Sequence, residues 1–212
     1  MAIAQYFQKI NLFITVTANP HWEEVQRELL PGQEPSDRPD LIARVFQLKK
    51  EAILHDIIKN GIFSRTVVKI FTIKFQKQGL PHMHLLIFLE EEHKLYSIAA
   101  VDSCIRAYWP DPETEPQPFK IVKEVMVHGP CGGANPRAPC NDEKGQCAKK
   151  YPQAFQNGTT MDEAGYLVYH HPNNGREYVV CGVKVHNGYI VPHNPYLSMK
   201  YQCHIDVECA VR

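Results

Sequence analysis

Two β-type runs on either side of a tight turn constrain this chain more than any other feature. Thr66 to Gln76 is rich in β-branched and aromatic residues. Gln78-Gly79-Leu80-Pro81 supplies the turn, and His82 to Leu89 reads as the returning strand. An isolated hairpin is marginal in water, so these strands need further strands and a covering layer. Leu12-Phe13-Ile14-Thr15-Val16-Thr17 reads as one more buried strand, stopped by Asn19-Pro20, and Tyr201–Cys209 as the last. Helical spacing predicts helices over Trp22–Leu30, Leu41–Lys59, Tyr96–Tyr108 and Phe119–Val127, with Met1–Ile10 as the end of another. The strongest is Leu41–Lys59, with Leu41, Val45, Leu48, Ala52, Ile53, Ile57 and Ile58 on its apolar stripe and Asn60-Gly61 as its stop. Short strands are predicted at Tyr166–Tyr169, Glu177–Val180 and Val183–Val191. The expected class is α+β: an antiparallel sheet with helices on one face.

Composition narrows the function. With 44% hydrophobic and 22% charged residues, the chain is an ordinary globular sequence, which excludes disorder and collagen-like structure. Its 212 residues allow one domain with an insertion. The longest apolar stretch, Leu85 to Leu89, is strand-sized, so no membrane span is expected. A formal net charge of zero gives no bulk argument for nucleic-acid binding. Seven cysteines, odd in number and unevenly spaced, argue against a secreted disulfide framework and leave metal ligation open.

Chemistry concentrates in two places. Strand periodicity puts His82 and His84 on one face, with Met83, Leu85, Ile87 and Leu89 packed behind them. Two same-face imidazoles can chelate one divalent cation; they can equally be two solvated histidines on a half-buried strand. From His128 to Pro152 the chain is dense in Gly, Pro and Cys and lacks apolar periodicity, so it needs a staple or stays loose. There His128, Cys131, Cys140 and Cys147 follow the spacing H-x2-C-x8-C-x6-C, which suits a closed tetrahedral Zn²⁺ site. Scattered free thiols are the alternative. Cys104, Cys181, Cys203 and Cys209 read as buried small hydrophobes. Arg65, Lys69, Lys74 and Lys77 are the charges between Gly61 and Leu89, either a phosphate-attracting bias or a solvated strand edge. Thr15, Thr17 and Asn19 alternate along the first strand and either line a cleft or cap the strand; Trp22 reads as packing between helix and sheet.

Phe75-Gln76-Lys77-Gln78-Gly79-Leu80-Pro81-His82-Met83-His84 resembles the His-hydrophobic-His motif of the Helitron helicase-like N-terminal domain, the replication-initiator (HUH) endonuclease part of rolling-circle transposases. Leu12 to Trp22, His128 to Pro136 with Pro139-Cys140, Val191 to Leu197 and Cys203 to Glu208 are similar to further blocks in the family's order. The resemblance implies a ferredoxin- or RRM-like core, single-stranded DNA as partner, and nicking and joining of that strand. It implies Mg²⁺ or Mn²⁺ on His82 and His84, structural Zn²⁺ on the cysteine block, and DNA contacts from Thr15, Thr17, Asn19, Lys74 and Lys77. It also implies a nuclear location and a downstream helicase partner, for which no Walker sequence is present here.

Two departures qualify these expectations. The family's nucleophilic Tyr lies beyond the His204 block, and none of the ten tyrosines aligns with it. The expected domain, 1–212 with a Cys-rich insertion at 128–152, is therefore incomplete at both ends and impaired in cleavage, or is a zinc-stabilised DNA-binding remnant. An unrelated zinc-binding interaction module is the third class. Where the family carries Glu, this chain has Lys74, placed opposite His84 if the turn centres on Gly79, and a Lys there weakens cation binding. His204, sharing a strand face with Asp206 and Glu208, is a substitute ligand.

Overall fold

A computed structural model describes residues 10–75, 79–91 and 97–210. The helix end expected over Met1–Ile10, save Ile10 itself, and Lys77 lie outside the described residues. The centre of the fold is a four-stranded antiparallel sheet of β1 (Leu12–Thr17), β2 (Thr66–Phe75), β3 (Pro81–Leu89) and the last strand, His204–Cys209, in the order β2-β3-β1-last. α1 (Glu23–Gln26) and α2 (Pro39–Ile58) lie between β1 and β2. α3 (Ile98–Cys104) and α4 (Pro116–Val125) follow the hairpin. Two small ribbons come next, β4 (Thr160–Met161) with β5 (Leu167–Val168) and β6 (Tyr178–Val180) with β7 (Val183–Val185). α5 (Pro195–Tyr201) then leads into the final strand, β8 (His204–Cys209).

The pleat decides which residues meet the helices. Leu12, Ile14 and Val16 of β1, Met83, Leu85 and Ile87 of β3, and Ile205 and Val207 of β8 are all 1% exposed or less. They form one core with Ile42, Val45, Phe46, Ile53, Leu54 and Ile57 of α2. Leu48, expected on that stripe, is 72% exposed, and Ala52 is also exposed. The buried line of α2 runs 42-45-46-50-53-54-56-57, so the helix turns the Ile42-Val45-Phe46-Ile53-Leu54-Ile57 face to the sheet and leaves Leu48 outside. A second, smaller core gathers Trp109, Val122, Met126, Val185, Ile190 and Val191 around α4 and the β6-β7 ribbon.

Several boundaries differ from the periodicity reading. The helix expected over Trp22–Leu30 is one turn, with Trp22 buried and its Nε1 donating to the Tyr201 carbonyl at 2.8 Å. The helix expected at Tyr96–Tyr108 covers only Ile98–Cys104, capped by Ser97 accepting from the Ala100 N–H. Tyr201 is not in the last strand but ends α5. Asn194 caps that helix by accepting from the Leu197 N–H, Pro195 sits at its first position, and Gln202 stops it at φ +48°. The strand expected over Val183–Val191 stops at Val185 and gives way to a 3-10 turn at Asn187–Tyr189. Cys181 is exposed rather than buried, in the left-handed turn of the β6-β7 ribbon.

A buried carboxylate ties α2 to α5. Asp56, 2% exposed, accepts from Lys200 Nζ at 2.8 Å, the Tyr201 hydroxyl at 2.7 Å and Asn60 Nδ2 at 2.8 Å. Burial opposes its charge, but bonds from Lys200, Tyr201 and Asn60 outweigh that and hold the carboxyl below the ordinary value. Asp56→Ala strands the buried Tyr201 hydroxyl and should cost about 2–3 kcal/mol in urea unfolding. Since the folded value is depressed, this stabilisation is present above the ordinary carboxylate pKa and is lost as pH falls through the folded one. Wild type and Asp56→Ala should therefore converge in stability in acid.

Candidate metal centre and nucleic-acid cleft

The sheet face turned away from α2 carries the polar residues. Strand register lines up His84, Thr15 and Asp206 in one row across β3, β1 and β8, and His82, Thr17 and His204 in the next. On β2 the rows continue to Thr72 opposite His84 and Lys74 opposite His82. The expected pairing of Lys74 with His84 is thus corrected by two residues. β2 and β3 are joined with Phe75 opposite Pro81, so the hairpin's midpoint falls one residue before Gly79. A shift of two keeps the face and changes the partner.

A cleft of about 600 Å³ lies over these rows. Its floor is Phe13, Thr15, Thr17, His82, His84, His204, Asp206 and Glu208; its wall is His128, Lys149, Tyr151, Gln153 and Val191. Thr15 Oγ1 is 3.2 Å from His84 Nδ1, and Phe13 stacks on the His84 ring at 5.6 Å and 8°. The His82 and His84 rings meet edge to face at 4.7 Å. His82 Nδ1 and Asp206 Oδ1 are buried without a hydrogen-bond partner. His204 Nδ1 donates to the Val125 carbonyl at 2.9 Å, which leaves Nε2 as the unprotonated nitrogen of the neutral ring. Lys74 is exposed on β2; Asn19 is not on the cleft lining, since its side chain donates to the Gln202 carbonyl and accepts from the His21 N–H, closing the turn after β1.

Electrostatics keeps the imidazoles neutral. His82 is lowered by burial and by Lys74; His84 by burial, then His82, Lys74 and Lys149. Neutral imidazole is the form that binds a cation. Burial, then the charge of Glu208, pushes Asp206 up to about 7, with Lys149 opposing. Among the described residues, however, no third His, Cys, Asp or Glu joins His82 and His84 in a close ligand cluster.

The cysteine segment does form such a cluster. One ligand atom from each of His128, Cys131, Cys140 and Cys147 lies within 4.8 Å of all the others. These are the four residues singled out by spacing. His128 Nε2 is 3.3 Å from Cys147 Sγ, and Asn141 ties the two halves by accepting from the Gly132 N–H and donating to the Asn135 carbonyl. Gly132 at φ +62° and Gly145 at φ +72° make left-handed turns that other residues take up at a cost. Burial and the neighbouring Cys147 and Cys140 push Cys131 up to about 12. Burial also acts to raise Cys147, but the backbone N–H groups of Tyr151 and Lys149 and the two other thiols bring it down. Three sulfurs and one imidazole, mutually this close and with no position open to solvent chemistry, fit Zn²⁺ as a structural staple.

Comparison with known proteins bears on the sheet. Residues 1–87 match the family model of the Helitron helicase-like domain at the N-terminus. The match covers β1, α1, α2, β2 and β3 up to Ile87, so it includes both histidines and both cleft threonines. The match spans 87 of the 212 residues. No curated protein matches the chain. No helix among the described residues is long and apolar enough to cross a membrane.

Sequence reasoning missed Lys149, Tyr151 and Gln153 as cleft residues. Their proximity in sequence to Cys147 was the available signal. Purified protein should carry one equivalent of zinc, and Cys140→Ser should lower both zinc content by metal analysis and the melting temperature. Zinc-free protein with an unchanged melting temperature would defeat the staple. Asp206→Asn removes a carboxylate whose folded pKa lies above its unfolded one, so the cost of that charge grows as pH rises from the ordinary carboxylate value to about 7 and is constant above it. The variant should melt higher than wild type at about pH 8 and alike at about pH 4.

Proposed function

We propose that the chain is the DNA-strand-handling domain of a rolling-circle (Helitron-type) transposase, binding single-stranded DNA in the cleft and holding Mg²⁺ or Mn²⁺ on His82 and His84 for nicking and joining. The observation that carries this reading is the His pair on the open sheet face. Both rings are held neutral, His84 is fixed by Thr15 and Phe13, and His82 has a buried nitrogen without a partner. A buried polar atom without a partner is uncommon, and ligation to a cation accounts for it. Bound there, the cation supplies polarisation of a phosphodiester and stabilisation of its developing charge.

In this reading the chain's own residues bind and orient. Thr15 and Phe13 fix the His84 ring, and the cleft seats the strand over it. Thr17 and Lys74 flank His82 on either side in its row. The tyrosine that attacks phosphorus in the resembled enzymes is assigned to no residue of this chain. We further assign 128–152 as an insertion within one domain, a helicase as the downstream partner of a longer protein, and the nucleus as its location. Lys74 opposite His82 favours a second reading, a zinc-stabilised domain that binds single strands without cutting them, because a lysine beside the pair repels a cation.

Isothermal titration with Mn²⁺ separates the readings. His82→Ala should weaken binding about tenfold or more, and Lys74→Glu should tighten it by a similar factor. Equal, weak binding by wild type and both variants would remove the cation from this site. End-labelled single-stranded oligonucleotide with Mn²⁺ should be bound without forming a covalent adduct. A 5′-phosphotyrosine adduct would show instead that the chain holds its own nucleophile.

A further inference from the structure

The wall of the cleft is built by the metal-binding segment. Cys147 is a ligand in the four-residue cluster, and the chain leaves it through a tight turn in which the Lys150 N–H donates to the Cys147 carbonyl at 2.8 Å. The backbone N–H groups of Lys149 and Tyr151 favour the thiolate of Cys147. Tyr151 stacks on His128, another ligand, at 4.0 Å and 16°. Gln153 closes the turn from the far side, its Nε2 donating to the Lys149 carbonyl and its N–H donating to the Gly188 carbonyl. The backbone of Lys149 is thus fixed by the metal cage before it and by Gly188 after it. Lys149 lines the cleft beside His84, His128, His204 and Asp206, and its positive charge acts to lower the pKa of all four. Lys74, on β2 at the opposite edge, acts on His82 and His84, so His84 feels both lysines. An extended polyanion lying across the rows therefore meets one lysine from the sheet and one from the metal-bound wall.

We propose that Lys149 is a phosphate-contacting residue for the nucleic-acid strand, and that the metal held by His128, Cys131, Cys140 and Cys147 sets its position, so that strand binding depends on metal occupancy. The proposal rests on the reading of the cleft as a single-strand site. It assigns the cysteine segment a second role besides stapling. A charge two residues from a ligand is carried by the metal-held turn, so the wall adds a phosphate contact to the one that Lys74 offers from the sheet. Neutralising one phosphate contact on a single strand lowers the salt dependence of binding by about 0.7 in the log–log slope.

Fluorescence polarisation of labelled oligothymidylate, titrated with zinc-loaded protein at several salt concentrations, tests it. Lys149→Gln should weaken binding about fivefold and reduce the slope by about 0.7. Lys149→Arg should restore both. Lys150→Gln, the next residue on the turn, should leave both at wild-type values. Stripping zinc from wild type should bring binding to the Lys149→Gln level while far-UV circular dichroism still reports the sheet, and should add little further loss in Lys149→Gln itself. Wild-type affinity and slope in Lys149→Gln, with Lys74→Gln weakened, would overturn the assignment and leave the cleft reading intact. Unchanged binding after zinc removal, or unfolding of the whole chain on chelation, would overturn the coupling. No binding by wild type even at low salt would sink the cleft reading itself, and Lys149's role with it.

Discussion

Everything in this molecule depends on β1 being paired on both sides. Its inward residues Leu12, Ile14 and Val16 close the core over α2, and its outward residues join β3 to β8. Only because β1 sits between them do His84, Thr15 and Asp206 fall in one row, and His82, Thr17 and His204 in the next. The same pleat that removes apolar surface from water therefore arrays the polar set on the opposite face, without any loop having to be ordered for the purpose.

The second support is the cage of His128, Cys131, Cys140 and Cys147. It stands in a stretch that offers little apolar surface. The stretch is anchored further by Tyr151 packing into the small core of Trp109, Val122 and Met126. Cage and sheet meet at the cleft, where His128 takes part in both. A rigid sheet floor and a metal-held wall make a site whose two sides are stabilised by unrelated physics: burial on one, coordination on the other.

How much of this was legible in the sequence follows the range of the interactions. The His face was readable because period two is local, and the zinc ligands were readable because all four lie within one short segment. The partner of Lys74 was misassigned because hairpin register depends on turn geometry that the Gly79 cue leaves one residue loose. The outward place of Leu48 is not legible, because periodicity gives a stripe but not its rotation against the sheet. α5 carries a cap-and-first-turn signal in Asn194-Pro195, but its seven residues are too few for an apolar period to repeat. Lys149 had no pattern of its own. Its place over His84 exists only once the cage, Gly188 and the sheet are assembled.

The pairing of β1 with β8 has a kinetic consequence. The hairpin and the cage close short loops, whereas the bond from Trp22 to Tyr201 that brings β8 to the sheet joins positions 179 residues apart. Contacts of such separation meet a larger loop-closure cost than local ones, and topologies that depend on them fold more slowly. The strand that brings His204, Asp206 and Glu208 to the cleft floor is the one that must wait for the whole intervening chain. Loop closure therefore weighs more on this edge of the cleft than on the hairpin's histidines or the four metal-binding residues.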